Sequence, residues 1–200
     1  MRYFVFGLAA LVASTVAALA TPVVGEAAPD FTLIDSYGEM RTLSDYQDQR
    51  VILEWTNHDC PYVRKHYSSG NMQSIQQAAT EEGTIWLSII SSAPGRQGYV
   101  SADEANDLTA SRGAYPTAVL FDPDGDVGHA YDARTTPHMY IIDEAGILRY
   151  MGAIDDRPTT RQSSLEGASN YVLLASANLD AGEEVELAET TAYGCSIKYR

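Results

Sequence analysis

Apolar and polar positions fall into short blocks separated by turn residues, and the blocks alternate between strand and helix signatures. Val51-Ile52-Leu53-Glu54-Trp55 is an apolar run of strand length. The residues after Pro61 predict a helix, because a proline at the first helical position lacks only an N–H that has no intrahelical partner there. Gly70-Asn71 breaks it, and a second piece carrying Met72, Ile75 and Ala79 on one face runs to about residue 82, where Gly83 supplies a left-handed cap. Residues 84–90 are a strongly apolar strand, expected at the sheet centre. Ser101-Ala102-Asp103-Glu104 is a capping box opening a helix that Gly113 closes.

Residues 117–121 predict the next strand, followed by a turn at 122–126 and a short helical turn at 127–131. Residues 139–143 and 147–151 flank Glu144-Ala145-Gly146 as a hairpin, and 31–35 and 40–43 form another strand pair upstream. Ser163-Ser164-Leu165-Glu166 predicts a second capping box. Leu165, Ala168, Val172, Ala175 and Leu179 then recur at helical spacing until Gly182. Residues 183–191 are acidic and irregular, an expected flexible tail that leads to Gly194-Cys195-Ser196-Ile197-Lys198-Tyr199. Strand–helix–strand–helix–strand, then a hairpin and a helix, predicts an α/β fold: a central mixed β-sheet flanked by helices.

The chain of 200 residues is long enough for one domain with a sizeable core. Residues 1–20 stand apart as an expected signal peptide: Arg2 precedes a small, apolar stretch ending in Ala18-Leu19-Ala20, a small-x-small cleavage pattern. The reading is thus a signal peptide at 1–20, a domain at 21–180 and a tail at 181–200 carrying Cys195. Export implies a soluble periplasmic protein in an oxidising compartment, where disulfides persist. The formal net charge of −14 argues against nucleic acid or an anionic membrane as partner. The turn at 122–126 is no calcium loop, since its glycine falls too early and Ala133 stands where the bidentate glutamate belongs.

Two cysteines, Cys60 and Cys195, are too few for a disulfide scaffold, and no Cys/His spacing suits structural zinc. Cys60 is placed on a strand-to-helix turn, where its sulfur faces free N–H groups and the positive end of the helix dipole. That placement favours the thiolate, the nucleophilic form. Arg64 and Lys65 one turn along, with His58 and His66, add positive charge, and Asp59 opposes them. A soft thiolate among His58, His66 and His138 also suits copper, so a periplasmic copper-binding protein is an alternative of a different class. A binding module that has kept the fold without turnover is a third.

Several segments, taken in order, resemble the alkyl hydroperoxide reductase and thiol-specific antioxidant group of thioredoxin-fold redoxins, in particular its exported, peroxiredoxin-like bacterial branch. They are Ala28-Pro29-Asp30-Phe31-Thr32-Leu33, His58-Asp59-Cys60-Pro61-Tyr62-Val63, Thr136-Pro137, Tyr140-Ile141-Ile142-Asp143-Glu144-Ala145-Gly146 and the C-terminal Gly194–Tyr199 stretch. The resemblance implies a thioredoxin-like fold, a cis peptide bond before Pro137, and Thr136 and His138 beside the sulfur. It implies a small peroxide or a protein disulfide as substrate and an external thiol as reductant. No organic cofactor or metal is implied, because the sulfur carries the electrons.

The chain departs from the group's patterns in three places. Val63 stands where thioredoxins carry a second cysteine. Asn57 and Pro137 stand where typical peroxiredoxins carry the threonine and arginine that bind peroxide, which implies slow peroxide reduction. Arg134 is the candidate substitute for that arginine. The expected function is an exported thiol oxidoreductase in which Cys60 is the nucleophile and Cys195 the candidate resolving thiol. A structural Cys60–Cys195 bridge and a one-cysteine peroxidase reduced by an outside thiol remain open beside it.

Overall fold

The computed structural model describes residues 21–200; the expected signal peptide lies outside them. The central apolar run is β3 (Val51–Trp55), buried at every position. It pairs in parallel with β4 (Ile85–Ile90) and antiparallel with β7 (His138–Ile142). Beyond β4 the sheet continues through β5 (Ala118–Phe121) to β1 (Thr32–Asp35) and β2 (Met40–Thr42), and beyond β7 it ends at β8 (Leu148–Gly152). The parallel steps need crossovers, which α1 (Pro61–Ser68), α2 (Asn71–Glu81) and α3 (Ala102–Arg112) supply. α4 (Asp126–Ala130) follows β5, and α5 (Tyr171–Asp180) packs against β7 and β8. This is the mixed sheet flanked by helices that the alternating blocks predict. Among the described residues no helix is long and apolar enough to cross a membrane.

The period-two alternation of each strand divides the core between the two faces of the sheet. Val51, Leu53 and Trp55 join Tyr140, Ile142, Leu87, Leu120 and Tyr131 on one face. Ile52, Met139 and Ile141 join Val63, Met72, Ile75, Trp86 and Val172 on the other. Each such burial contributes about 1.5–3 kcal/mol relative to exposure. Glu54 interrupts this apolar pattern as a fully buried carboxylate. It accepts hydrogen bonds from Tyr67 Oη, Gln76 Nε2, Trp86 Nε1 and Ser88 Oγ at 2.9–3.1 Å. Burial still drives its pKa upward against those donors.

The Ser101 capping box is present in both halves, and Gly113 caps α3 at φ +58°. The second expected box is not. Residues 162–165 form only a 3₁₀ turn, Gly167 takes φ +67°, and α5 begins at Tyr171 with Asn170 as its cap. The apolar spacing carries through Val172, Ala175 and Leu179, but Leu165 and Ala168 precede the helix.

The C-terminal segment also differs from the flexible tail expected. Residues 188–200 lie as a strap across the domain. Met151 exchanges backbone hydrogen bonds with Ala188 and Thr190, and Thr190 Oγ1 accepts from Ala153 N at 2.9 Å. Further along, β9 (Cys195–Ser196) pairs antiparallel with β6 (Thr135–Thr136), and Ile197 enters the core. The strap is ordered because these anchors are apolar or hydrogen-bonded, whereas the acidic character of 183–191 bears only on its solvent side.

Candidate active site

Cys60 is the N-cap of α1, one residue before Pro61, as the strand–turn–helix reading predicts. Asn57 builds the turn that puts it there. Its Oδ1 accepts from Asp59 N at 2.9 Å, its Nδ2 donates to Gln97 O at 3.3 Å, and its carbonyl accepts from Cys60 N at 3.1 Å. Asn57 is therefore occupied as a turn-former. The Cys60 thiol donates to the Thr136 carbonyl at 3.1 Å, and the Thr136–Pro137 peptide bond is cis.

The register of β6 and β9 sets Thr136 directly opposite Cys195, which brings the second cysteine against the first. Gly194 makes that approach feasible: it sits at φ +145° and a Cβ there would overlap the Thr136 carbonyl. Both cysteines are free thiols, Cys60 buried and Cys195 half-buried.

Their environments push them apart. Burial raises the Cys60 pKa, but hydrogen bonds from the Cys195 thiol, the Val63 N–H in the first turn of α1, the Cys195 N–H and the Thr136 hydroxyl outweigh it and leave the thiol more acidic than usual. Thr136 Oγ1 has no partner while Cys60 is a thiol, so its proton is available to a thiolate. Cys195 is pushed up to about 12, by burial first and then by its hydrogen bond to Cys60 and the Cys60 charge; Lys198 and Arg64 act weakly against this. The pair thus contains one acidic and one basic sulfur in contact.

Of the residues expected around Cys60, the structure gathers Thr136, Pro137 and Cys195. Arg64 is exposed at the Cys195 end of the site. The cations expected to activate Cys60 are not among the causes of its lowered pKa; the helix end is, together with Cys195. His58 turns instead to a cleft with Thr109 and Arg112 of α3, its Nε2 3.5 Å from Asp59. Arg134 is 75% exposed and forks onto Asp132, so it does not replace the missing arginine at the sulfur. His138 is packed on Tyr140, and His66 is buried beside Asn71 and Tyr193. His58, His66 and His138 therefore do not surround Cys60, and among the described residues no three His, Cys, Asp or Glu side chains form a metal-binding group. The expected arrangement for copper is absent because neighbours in sequence here belong to different faces of the fold.

Two buried groups escaped the sequence reading. Lys65, expected as a cation beside Cys60, is instead 0% exposed at its side chain and donates to Arg157 O at 2.8 Å and Tyr193 Oη at 3.0 Å, with Asp155 Oδ2 at 3.5 Å. Asp155 is buried there as well and accepts from the Tyr193 hydroxyl. The one available signal was compositional: a helix whose last turn holds Lys65 and His66 on its buried side needs a polar partner.

Residues 24–151 match the AhpC/TSA family. That stretch takes in Cys60 and Thr136-Pro137 and stops short of Cys195. No curated protein matches the chain. Among solved structures, a hypothetical protein from Sinorhizobium meliloti 1021 is similar at 22% identity and TM-score 0.75, over 90% of this chain and 97% of that one. An uncharacterized conserved protein from Geobacillus kaustophilus is similar at 25% identity and TM-score 0.74, over 89% and 93%. The thioredoxin domain of a thiol-disulfide oxidoreductase from Bacteroides vulgatus is similar at 19% identity and TM-score 0.53, over 74% and 98%. The fold is thioredoxin-like.

Proposed function

The chain belongs to the AhpC/TSA family, and on that premise we propose that it is a two-cysteine thiol oxidoreductase in which Cys60 is the nucleophile and Cys195 the resolving thiol. The observation that carries this reading is the contact between two free cysteines whose pKa values are driven in opposite directions. The more acidic sulfur ionises first and attacks; the less acidic one stays protonated until it is needed.

With a peroxide, the Cys60 thiolate attacks one oxygen. An S–O bond forms, the O–O bond breaks, and the leaving alkoxide or hydroxide takes up a proton. Cys195 then attacks the sulfenic sulfur, the S–S bond forms, and water leaves. The two cysteines lose two electrons and the peroxide gains them. With a disulfide substrate, Cys60 attacks one sulfur, a mixed disulfide forms, and Cys195 displaces the second substrate thiolate. An external thiol restores both cysteines. Thr136 would hold the thiolate through its hydroxyl, its carbonyl accepting the proton only while Cys60 is a thiol, and the cis Pro137 turn follows it directly.

The same reading places the protein in an oxidising compartment after removal of residues 1–20, acting on a small peroxide or a thiol/disulfide partner. Intact-mass measurement of the reduced protein after limiting peroxide tests it: loss of two hydrogens with Cys60 linked to Cys195 supports two-cysteine chemistry. Stable oxygen adducts on Cys60 beside a free Cys195 assign the one-cysteine reaction instead.

A further inference from the structure

Cys60 is 0% exposed, and the strap is what covers it. The Cys195 thiol and N–H lie against its sulfur, and Gly194 lies on the Thr136 carbonyl. A tyrosine clamps the strap on each side of Cys195. Tyr199 donates to Ala133 O at 2.7 Å, stacks on His129 at 4.2 Å, and fills a slot left open by the missing side chains of Gly125 and Gly128. Tyr193 enters a closed polar slot. Its hydroxyl donates to Asp155 and accepts from Lys65 Nζ at 3.0 Å, with His66 Nε2 at 3.4 Å. Lys65 Nζ sits 5.2 Å from its ring centroid, and Tyr62 meets the ring edge to face at 5.7 Å.

The slot is more than packing. Lys65, His66 and Asp155 have 0–1% of their side chains exposed, so water does not reach them while the strap is docked. Tyr193 supplies one of the three acceptors that the buried ammonium finds, the others being Arg157 O and Asp155. A charge removed from water needs such partners. Docking of the strap is thereby tied to the satisfaction of a buried ion pair.

We propose that Tyr193 is a specificity-determining residue: by locking the strap over Cys60 it confines the thiolate to oxidants of a few atoms, hydrogen peroxide or a short alkyl hydroperoxide, and shuts out protein disulfides. The proposal rests on the redox reading of Cys60 given above. A peroxide of a few atoms needs far less room at the sulfur than a protein disulfide does. A protein disulfide must align a sulfur with Cys60 along the path that Cys195 occupies, which requires unpairing β9 from β6 and withdrawing Tyr193. The peroxide step is the balanced one already given, with an external thiol as the final reductant.

The test uses the reduced full chain and two maleimides, N-ethylmaleimide and a polyethylene-glycol maleimide, with labelling at Cys60 followed by peptide mapping. In the wild-type chain the polymer reagent is expected to label Cys60 far more slowly than the small one. Tyr193→Phe keeps the ring and removes the hydroxyl; losing one hydrogen bond to a charged group should raise polymer labelling about tenfold or more, with hydrogen peroxide oxidation changed by less than about threefold. Lys65→Met, read in the same way, covers the case in which Tyr193→Phe fails to fold. Equal labelling of wild-type Cys60 by both reagents overturns the gate. An unchanged size ratio in both variants removes Tyr193 as its lock. A chain that shows the size gap but whose Cys60 is inert to peroxide refutes the redox reading, and with it the claim about oxidants, while the gate stands.

Discussion

Thr136 and Cys195 face each other as register partners in a two-residue antiparallel pair, and the Thr136 carbonyl also accepts the Cys60 thiol proton at 3.1 Å. One backbone position therefore holds both sulfurs. The first prediction concerns their acidity. Alkylation against pH, resolved by peptide, should give a midpoint below 9 for Cys60 and one near 12 for Cys195. Cys195→Ala removes the hydrogen bond that does most to lower the Cys60 pKa and should raise its midpoint. A Cys60 midpoint unchanged by that substitution would mean that the Cys195 thiol is not among the groups that set its acidity, leaving the Val63 N–H, the strap N–H and the Thr136 hydroxyl.

Gly194→Ala tests the pairing itself. The new Cβ meets backbone, not a movable side chain, and φ +145° disfavours alanine in any case. The expected cost is about 1–3 kcal/mol in denaturant melts. Disulfide formation after peroxide should slow at least tenfold, while the first oxidation of Cys60 continues. Equal closure rates in the two proteins would show that β6–β9 pairing is not what presents Cys195.

The buried histidines set a pH dependence. Burial foremost lowers both His66 and His138 from 6.5 to about 4. Between those values the unfolded chain binds protons that the native chain refuses, so stability is complete above about 6.5 and is lost as pH falls toward 4, by about 3 kcal/mol for each histidine. His138→Phe should flatten part of that slope in urea titrations. A stability profile flat from pH 7 to 4 would contradict the assignment of both rings as neutral.

Glu54→Gln should cost about 1–3 kcal/mol at neutral pH, because the new amide sets N–H groups against the donors of Tyr67, Gln76, Trp86 and Ser88. Peroxide reactivity per folded molecule should be unchanged, since Glu54 supports the core beneath β3 rather than the sulfur. Loss of reactivity without loss of stability would give it a role in the chemistry.

What the sequence made legible was local. The Cys60 turn, the Ser101 capping box and the hairpin after Asp143 are written in residues a few positions apart, and each forms as read. The Thr136–Pro137 bond and the mixed sheet followed from the resemblance and the order of blocks. The strap was illegible because its anchors are distant: Tyr193 meets Lys65 across 128 residues. The false capping box at Ser163 matched the right residue types, but Gly167 takes a left-handed conformation that ends any helix there. The histidines misled for the opposite reason, being close along the chain, or to the Thr136–Pro137 turn, yet packed on different faces.

The central claim is that the strap presents Cys195 to Cys60 as its resolving partner. Its most direct test is tryptic mapping of the reduced protein after one equivalent of hydrogen peroxide, with a thiol-blocking quench. The account predicts a single linked pair of peptides, one containing Cys60 and the other Cys195, with little sulfinic acid at Cys60. Recovery of Cys195 wholly blocked as a free thiol, with Cys60 carried on to sulfinic or sulfonic acid, would contradict it.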